Sequence, residues 1–197
     1  MTREYHPLTE HRLQTGARYH LPGQDPERVV MESPALAVMT DLRQIPAATI
    51  DLDAPLDAAN RFMIRRGVRL LLVTDDAREV LGLITANDVL GEKPVKFALE
   101  RGVKRQDIRV TDIMTPRERL QVLLYADVAH ADVGHVVATL KHAGRQHALV
   151  VDQGADGKTQ TLRGIYSVSQ IARQLGLPIQ TTEVAQTFAE IEAALRR

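Results

Sequence analysis

The run Gly82-Leu83-Ile84-Thr85-Ala86-Asn87-Asp88 reads as a strand that ends at a hydroxyl residue and turns directly into a helix. It returns 82 residues later as Gly164-Ile165-Tyr166-Ser167, again with a helical pattern behind it. Working outward, residues 67–75, with Leu71-Leu72-Val73 at their centre, match residues 144–152, with Ala148-Leu149-Val150, at an offset of 77. Further upstream, Val38-Met39-Thr40 recurs as Ile113-Met114-Thr115 at an offset of 75. The offset grows only at turns, where insertions are tolerated. A repeat in constant order decides the fold reading before any single element does.

Each copy predicts β-α-β-β-α. A short strand is expected at residues 48–52 and again at 120–124. A helix follows, with Asp53 as N-cap, Pro55 near its start and Gly67 at its end in the first copy. Leu56, Ala59 and Met63 keep helical spacing there, as do Val133, Val136, Val137 and Leu140 ahead of Gly144 in the second. The continuous apolar runs 70–73 and 148–151 are the pattern of strands buried on both faces. Another strand is expected at 80–84 and at 162–166, the latter preceded by an Asp156-Gly157 turn. Short helices at 86–90 and 168–175 close the copies. The expected class is α/β, with two repeats packed sheet-to-sheet, because neither alone buries enough apolar surface.

The chain divides accordingly. Residues 1–32 form a polar arm, 33–92 the first repeat, 93–110 a linker, 111–178 the second repeat and 179–197 a C-terminal helix. In the linker, Pro94 and Gly102 bracket a short helix with Val95, Ala98 and Leu99 on one side. In the C-terminal segment, Thr182 is the N-cap, and Val184, Phe188, Ile191 and Leu195 give one apolar stripe, read as an intramolecular strap.

Composition removes several functions. The chain has 197 residues, 44% of them hydrophobic and 25% charged, which is ordinary for a globular protein. The absence of Cys excludes a thiol nucleophile, a thiolate metal site and a disulfide framework, and is compatible with the cytoplasm, the expected location. No run approaches the ~18 apolar residues of a membrane span. Lys plus Arg (25) equals Asp plus Glu (25), so no global field favours nucleic acid. With Trp 0 and Phe 3, little is present to stack bases.

The tandem unit resembles a pair of CBS domains. The resemblance rests on residues 82–88, which match the family's Gly-apolar-apolar-Thr/Ser-x-x-Asp, on the leaders Val38-Met39-Thr40 and Ile113-Met114-Thr115-Pro116, and on the central strand Val68-Arg69-Leu70-Leu71-Leu72-Val73. It covers roughly residues 34–176. It implies a stand-alone, non-catalytic regulatory module that forms a homodimer. The module would bind an adenosine-containing ligand such as AMP, ADP, ATP or S-adenosylmethionine between its repeats and signal to an effector protein. No tightly bound cofactor, metal or catalytic residue is expected.

On that resemblance Asp88 accepts both ribose hydroxyls, an interaction of roughly 1.5–3 kcal/mol per charge-assisted bond. Thr85 and the helix start behind it receive a phosphate. Arg69 supplies a fork to that phosphate, and the adenine slot is placed around Thr49 and Ile50. The second copy departs from the pattern: Ser167 keeps the hydroxyl, but Gln170 replaces the Asp and Gln146 stands where Arg69 sits. Weaker binding, a different ligand or none is expected there, with Arg145 and His147 still able to meet phosphate. Two other readings stand beside these. Asp88 and Thr85 can serve as helix caps, and the module can be a ligand-free dimerisation scaffold.

Other signals carry less. Gly157-Lys158-Thr159 lacks the upstream Gly of a P-loop, since Asp152 occupies that place, and reads as a hairpin turn. His6 and His11 lie in the arm with the wrong spacing for a zinc helix. His135 and His142 sit about 10 Å apart along one helix, too far to share an ion. The linker cations Lys93, Lys96, Arg101, Lys104, Arg105 and Arg109 alternate with acids and read as a solvated face.

Overall fold

The computed structural model describes residues 29–177 and Ile191. The expectations for residues 1–28, and for the C-terminal segment apart from Ile191, lie outside the described residues. The strands are β1 (Thr40–Asp41), β2 (Thr49–Asp51), β3 (Leu70–Thr74), β4 (Val80–Thr85), β5 (Thr115–Pro116), β6 (Val122–Leu124), β7 (His147–Gln153) and β8 (Gln160–Ser167). The helices are α1 (Leu56–Arg66), α2 (Ala86–Leu90), α3 (Lys93–Arg101), α4 (Val110–Ile113), α5 (Tyr125–Val128), α6 (Val133–His142) and α7 (Val168–Gln174).

The strands form two sheets, β2-β3-β4-β5 and β1-β8-β7-β6. In the first, β2 runs parallel to β3 through α1, and β3 runs antiparallel to β4. The second repeats this with β6, α6, β7 and β8. Alternation along β3 explains its unbroken apolar run. Leu71 and Val73 pack with Leu56, Ala59, Met63 and Val89 on the helical side. Leu70 and Leu72 pack with Leu149 of the other sheet. Each strand residue therefore has a dry neighbour on its own side, worth roughly 1.5–3 kcal/mol per large side chain. The sheet-to-sheet packing expected from the repeat is present.

The repeats exchange their leaders. β1 opens the first repeat in sequence but pairs with β8 of the second, Thr40 opposite Ile165. β5 opens the second repeat but pairs with β4 of the first, Leu83 opposite Thr115. Backbone bonds extend the exchange to the helix starts. Leu56 N–H donates to Ile108 O (3.0 Å), and Val133 N–H donates to Ser33 O (2.9 Å). The buried Ala35 and Val38 join the helices of the second repeat, while Val110 and Ile113 join those of the first. Asp41 and Arg163 then clamp β1 to β8 with two bonds of 3.0 Å. The Arg163 guanidinium beside Asp41, helped by the Arg43 amide, holds its carboxyl below the usual carboxylate range.

Two local expectations are corrected. Asp53 does not cap α1. Pro55 is the N-cap residue and makes no side-chain bond, and the free Leu56 N–H finds Ile108 instead. The Asp53 amide donates to Asp51 Oδ1 at 2.7 Å. The linker helix α3 does not rest on Val95, Ala98 and Leu99. Pro94 is buried and Phe97 and Ala98 pack on the first repeat's core, while Val95 (57%) and Leu99 (79%) are exposed. Residues 94, 97 and 98 also keep helical spacing, and that stripe buries the aromatic ring, which has the larger apolar area. Gly67 and Gly144 end α1 and α6 at φ 64° and 60°, as their positions require. Ile191 is helical and buried in the second repeat's core.

Candidate functional site

The exchange leaves two clefts, and each draws on both repeats. The larger, about 790 Å³, is lined by Ala47 and Ala48 before β2, Gly67 to Arg69 before β3, and Ser167 and Gln170 at the β8–α7 junction. The smaller, about 380 Å³, is lined by Leu120 and Gln121 before β6, Arg145 to His147 at the start of β7, and Thr85 and Asp88 at the β4–α2 junction. The two are related by the internal repeat. A strand-to-helix junction of one copy faces the strand approaches of the other.

This arrangement divides the expected site. Thr85 and Asp88 line the smaller cleft, whereas Arg69 and Ser167 line the larger. Thr49 and Ile50 line neither. Thr49 is exposed and Ile50 packs against the first repeat's helical core. The positions that do enter a cleft lie just upstream, at Ala47 and Ala48, and they face Ser167 rather than Thr85. Lys93, Arg119 and Gln121, also in the smaller cleft, were not singled out as site residues. Arg119 and Gln121 follow the second leader as Gln44 and Pro46 follow the first, and of that earlier pair Pro46 lines the larger cleft.

Asp88 is 9% exposed and hydrogen-bonded through both carboxylate oxygens. Its Oδ2 accepts from the Thr85 N–H (2.8 Å) and from the Thr85 hydroxyl (2.7 Å). Its own N–H donates to Thr85 Oγ1 at 3.2 Å. This reciprocal pair is a capping box for α2. Its Oδ1 accepts from Lys93 Nζ, at the first turn of α3. The capping reading of Asp88 is therefore realised. Because an ionised carboxylate offers about four acceptor positions, a sugar hydroxyl can still approach Oδ1 beside Lys93. Replacing Asp88 by Ala removes the cap and strands Lys93. The expected cost is about 1–2 kcal/mol, read as a lower urea midpoint, with Asp88→Asn losing less because its side-chain oxygen still caps.

The second junction is built differently. Gln170 Oε1 accepts from the Thr40 hydroxyl at 3.1 Å, and the Ser167 and Ser169 hydroxyls meet at 3.0 Å. Ser167 makes no side-chain cap bond. Between the clefts stand Arg69, whose Nη2 donates to Asn87 Oδ1 at 3.1 Å, and His147, which lines both. Burial pushes the His147 imidazole down to about 4, and the Arg69 charge adds to this against an opposing pull from Asp88. The ring is neutral at pH 7. Gly157 lies in the β7–β8 turn at φ 66°. There Asp156 accepts from the Lys158 and Thr159 amides, so that segment is a hairpin connection and no phosphate loop.

Residues 36–94 match the family model of the CBS domain. An uncharacterized protein of Methanopyrus kandleri is 27% identical over 75 residues, which is 38% of this chain and 38% of that relative's length. Among solved structures, a conserved uncharacterized protein of Pyrococcus horikoshii superposes with TM-score 0.54 at 21% identity, covering 78% of this chain and 100% of the other. A CBS-domain protein of Agrobacterium tumefaciens gives 0.53 at 17% identity, covering 80% and 98%. The complex of CBSX2 with AMP gives 0.51 at 23% identity, covering 72% and 94%. The first repeat carries the match to the CBS-domain model, the second rebuilds the same β-α-β-β-α unit around exchanged leaders, and the chain has the fold of these tandem CBS-domain structures.

Proposed function

We propose that this pair is a non-catalytic regulatory module that binds an adenosine-containing ligand between its repeats. The observation that carries the reading is the pair of clefts at the repeat junction, each ending at a hydroxyl-bearing strand-to-helix turn. In the smaller cleft Asp88 presents an ionised oxygen to a ribose, while Lys93, Arg119 and Arg145 are placed to meet a phosphate. The similarly folded CBSX2 has been solved with AMP, which supports the ligand class. A ligand touching both copies shifts their packing, and a partner protein reads the shift. Exposed apolar residues on α1, α2 and α3 (Ile64, Leu90, Val95 and Leu99) offer surface for a second copy or an effector. No helix among the described residues is long and apolar enough to cross a membrane, and we place the module in the cytoplasm.

The scaffold reading is favoured by one fact: Asp88 is already engaged by Thr85 and Lys93. A thermal-shift titration with AMP, ADP, ATP, S-adenosylmethionine and a GMP control separates the two. A ligand at 100 times its Kd stabilises by about 2.7 kcal/mol, a shift of a few degrees for a chain of this size. A dose-dependent shift with adenosine ligands, weakened in Asp88→Asn, is expected. A flat response across the panel, with folded and ligand-free protein, would assign the module to scaffolding.

A further inference from the structure

We infer that the larger cleft takes a polyphosphate group and reads its charge rather than its sugar. The inference rests on the proposal that the clefts are ligand sites, and it gives the two clefts different chemistries.

Arg65, Arg66, Arg69 and Arg173 all line this cleft, and among the described residues no Asp or Glu lines it. None of the four guanidiniums has a carboxylate within ion-pair distance among the described residues. Their existing contacts are with neutral groups. Arg65 and Arg66 lie 5.7 and 6.0 Å from the Phe62 ring. Arg69 bonds to Asn87, and Arg173 Nε donates to Ser169 O at 3.3 Å. A guanidinium carries five N–H donors, so most of these remain for an incoming anion. Each is a planar fork that matches phosphate oxygens two at a time. Four like charges around one volume repel each other until an anion of comparable charge enters.

The sugar-reading group is missing from the same cleft. Where the first repeat places Asp88, the second places Gln170, a neutral side chain whose carbonyl already accepts the Thr40 hydroxyl. Ser167 is engaged by Ser169. Among the described residues, the lining offers no carboxylate to accept from a pair of sugar hydroxyls. The volume, about 790 Å³ against about 380 Å³ for the other cleft, has room for a nucleoside triphosphate. In the smaller cleft, Asp88 offsets part of the positive charge that Lys93, Arg119 and Arg145 bring.

The test is calorimetry on the full chain in magnesium-free buffer, with inorganic tripolyphosphate, ATP, 2′-deoxy-ATP and AMP as probes. Tripolyphosphate is expected to bind and to compete with ATP. ATP and 2′-deoxy-ATP should agree within about twofold, and ATP should bind at least about tenfold more tightly than AMP. Raising salt from 50 to 200 mM should weaken tripolyphosphate more than AMP. Arg69→Gln combined with Arg173→Gln should lower tripolyphosphate affinity about tenfold or more, while Arg101→Gln on α3, which lines neither cleft, leaves it unchanged. If the double variant does not fold, the rim variant Arg65→Gln with Arg66→Gln serves in its place.

Three results would overturn the inference. AMP binding without tripolyphosphate binding would remove it and leave the adenosine reading intact. A strong preference for ATP over 2′-deoxy-ATP in Asp88→Asn protein would show a sugar reader in this cleft. Unchanged polyphosphate affinity in both arginine double variants would place the anion elsewhere. Binding of no probe at all would remove both this inference and the ligand-binding proposal.

Discussion

Gly82→Ala is expected to lower the stability of the chain by about 3 kcal/mol, seen as a reduced urea midpoint. A Cβ at this position lies 2.5 Å from the Thr115 carbonyl oxygen, 3.1 Å from Met114 Sδ and 3.2 Å from Pro116 Cα. Two of these are backbone atoms of β5, the leader of the other repeat. They cannot withdraw without breaking the pairing of Gly82 with Pro116 and Leu83 with Thr115. The equivalent Gly164 faces the Met39 side chain, with Sδ at 2.5 Å and Cγ at 2.8 Å. A methionine chain has three rotatable bonds and gives way more cheaply. Gly164→Ala should therefore cost less, about 1–2 kcal/mol. The ranking is the sharper test. Equal costs, or a neutral Gly82→Ala, would mean that the leaders are not held against these glycines.

Acid sensitivity between pH 6.5 and pH 4 is the second large effect, and it is assigned to His147. Above pH 6.5 the imidazole is neutral in both folded and unfolded chains and contributes nothing to the difference. The folded ring titrates at about 4, held down first by burial and then by Arg69, with Asp88 pulling the other way. As pH falls through this window, the unfolded chain takes up a proton that the folded chain refuses, so stability falls. The full gap corresponds to about 3 kcal/mol, and about 2 kcal/mol is a fairer expectation because part of the ring meets solvent. The repeat offers the control. Leu70 occupies the matching position of the first copy and is 6% exposed. His147→Leu should flatten the stability profile across this range relative to wild type, with the acid loss carried by groups such as Asp41 retained. A variant as acid-sensitive as the parent would remove His147 from the explanation.

Much of the architecture was legible because it is written in local pattern. The apolar runs at β3 and β7, the helical spacing of Leu56, Ala59 and Met63, and the glycines ending α1 and α6 each act over a few residues. Their recurrence in constant order identified the repeat. The misreadings share one cause. Asp53 looks like a cap only if the helix start must be satisfied from its own neighbourhood; Ile108, far along the chain, does it instead. Val95 and Leu99 look like a packing stripe only until Phe97 is given a surface to bury against. Thr49 and Ile50 look like part of the Thr85 and Asp88 site only if each repeat builds its own.

The sequence by itself determined the α/β class, the order of elements, the two junctions at Thr85 and Ser167, and the loss of the carboxylate at Gln170. These depend on side-chain type and short-range periodicity. Only the tertiary structure decided which copy completes which cleft. Gly82 and Gly164 leave room for a strand, but nothing local says whose strand it is. Pairing with the other repeat satisfies leader backbone groups and buries Val38 and Ile113 at once. That long-range choice gathers four arginines from both copies around one cleft and leaves Asp88 with Lys93 in the other.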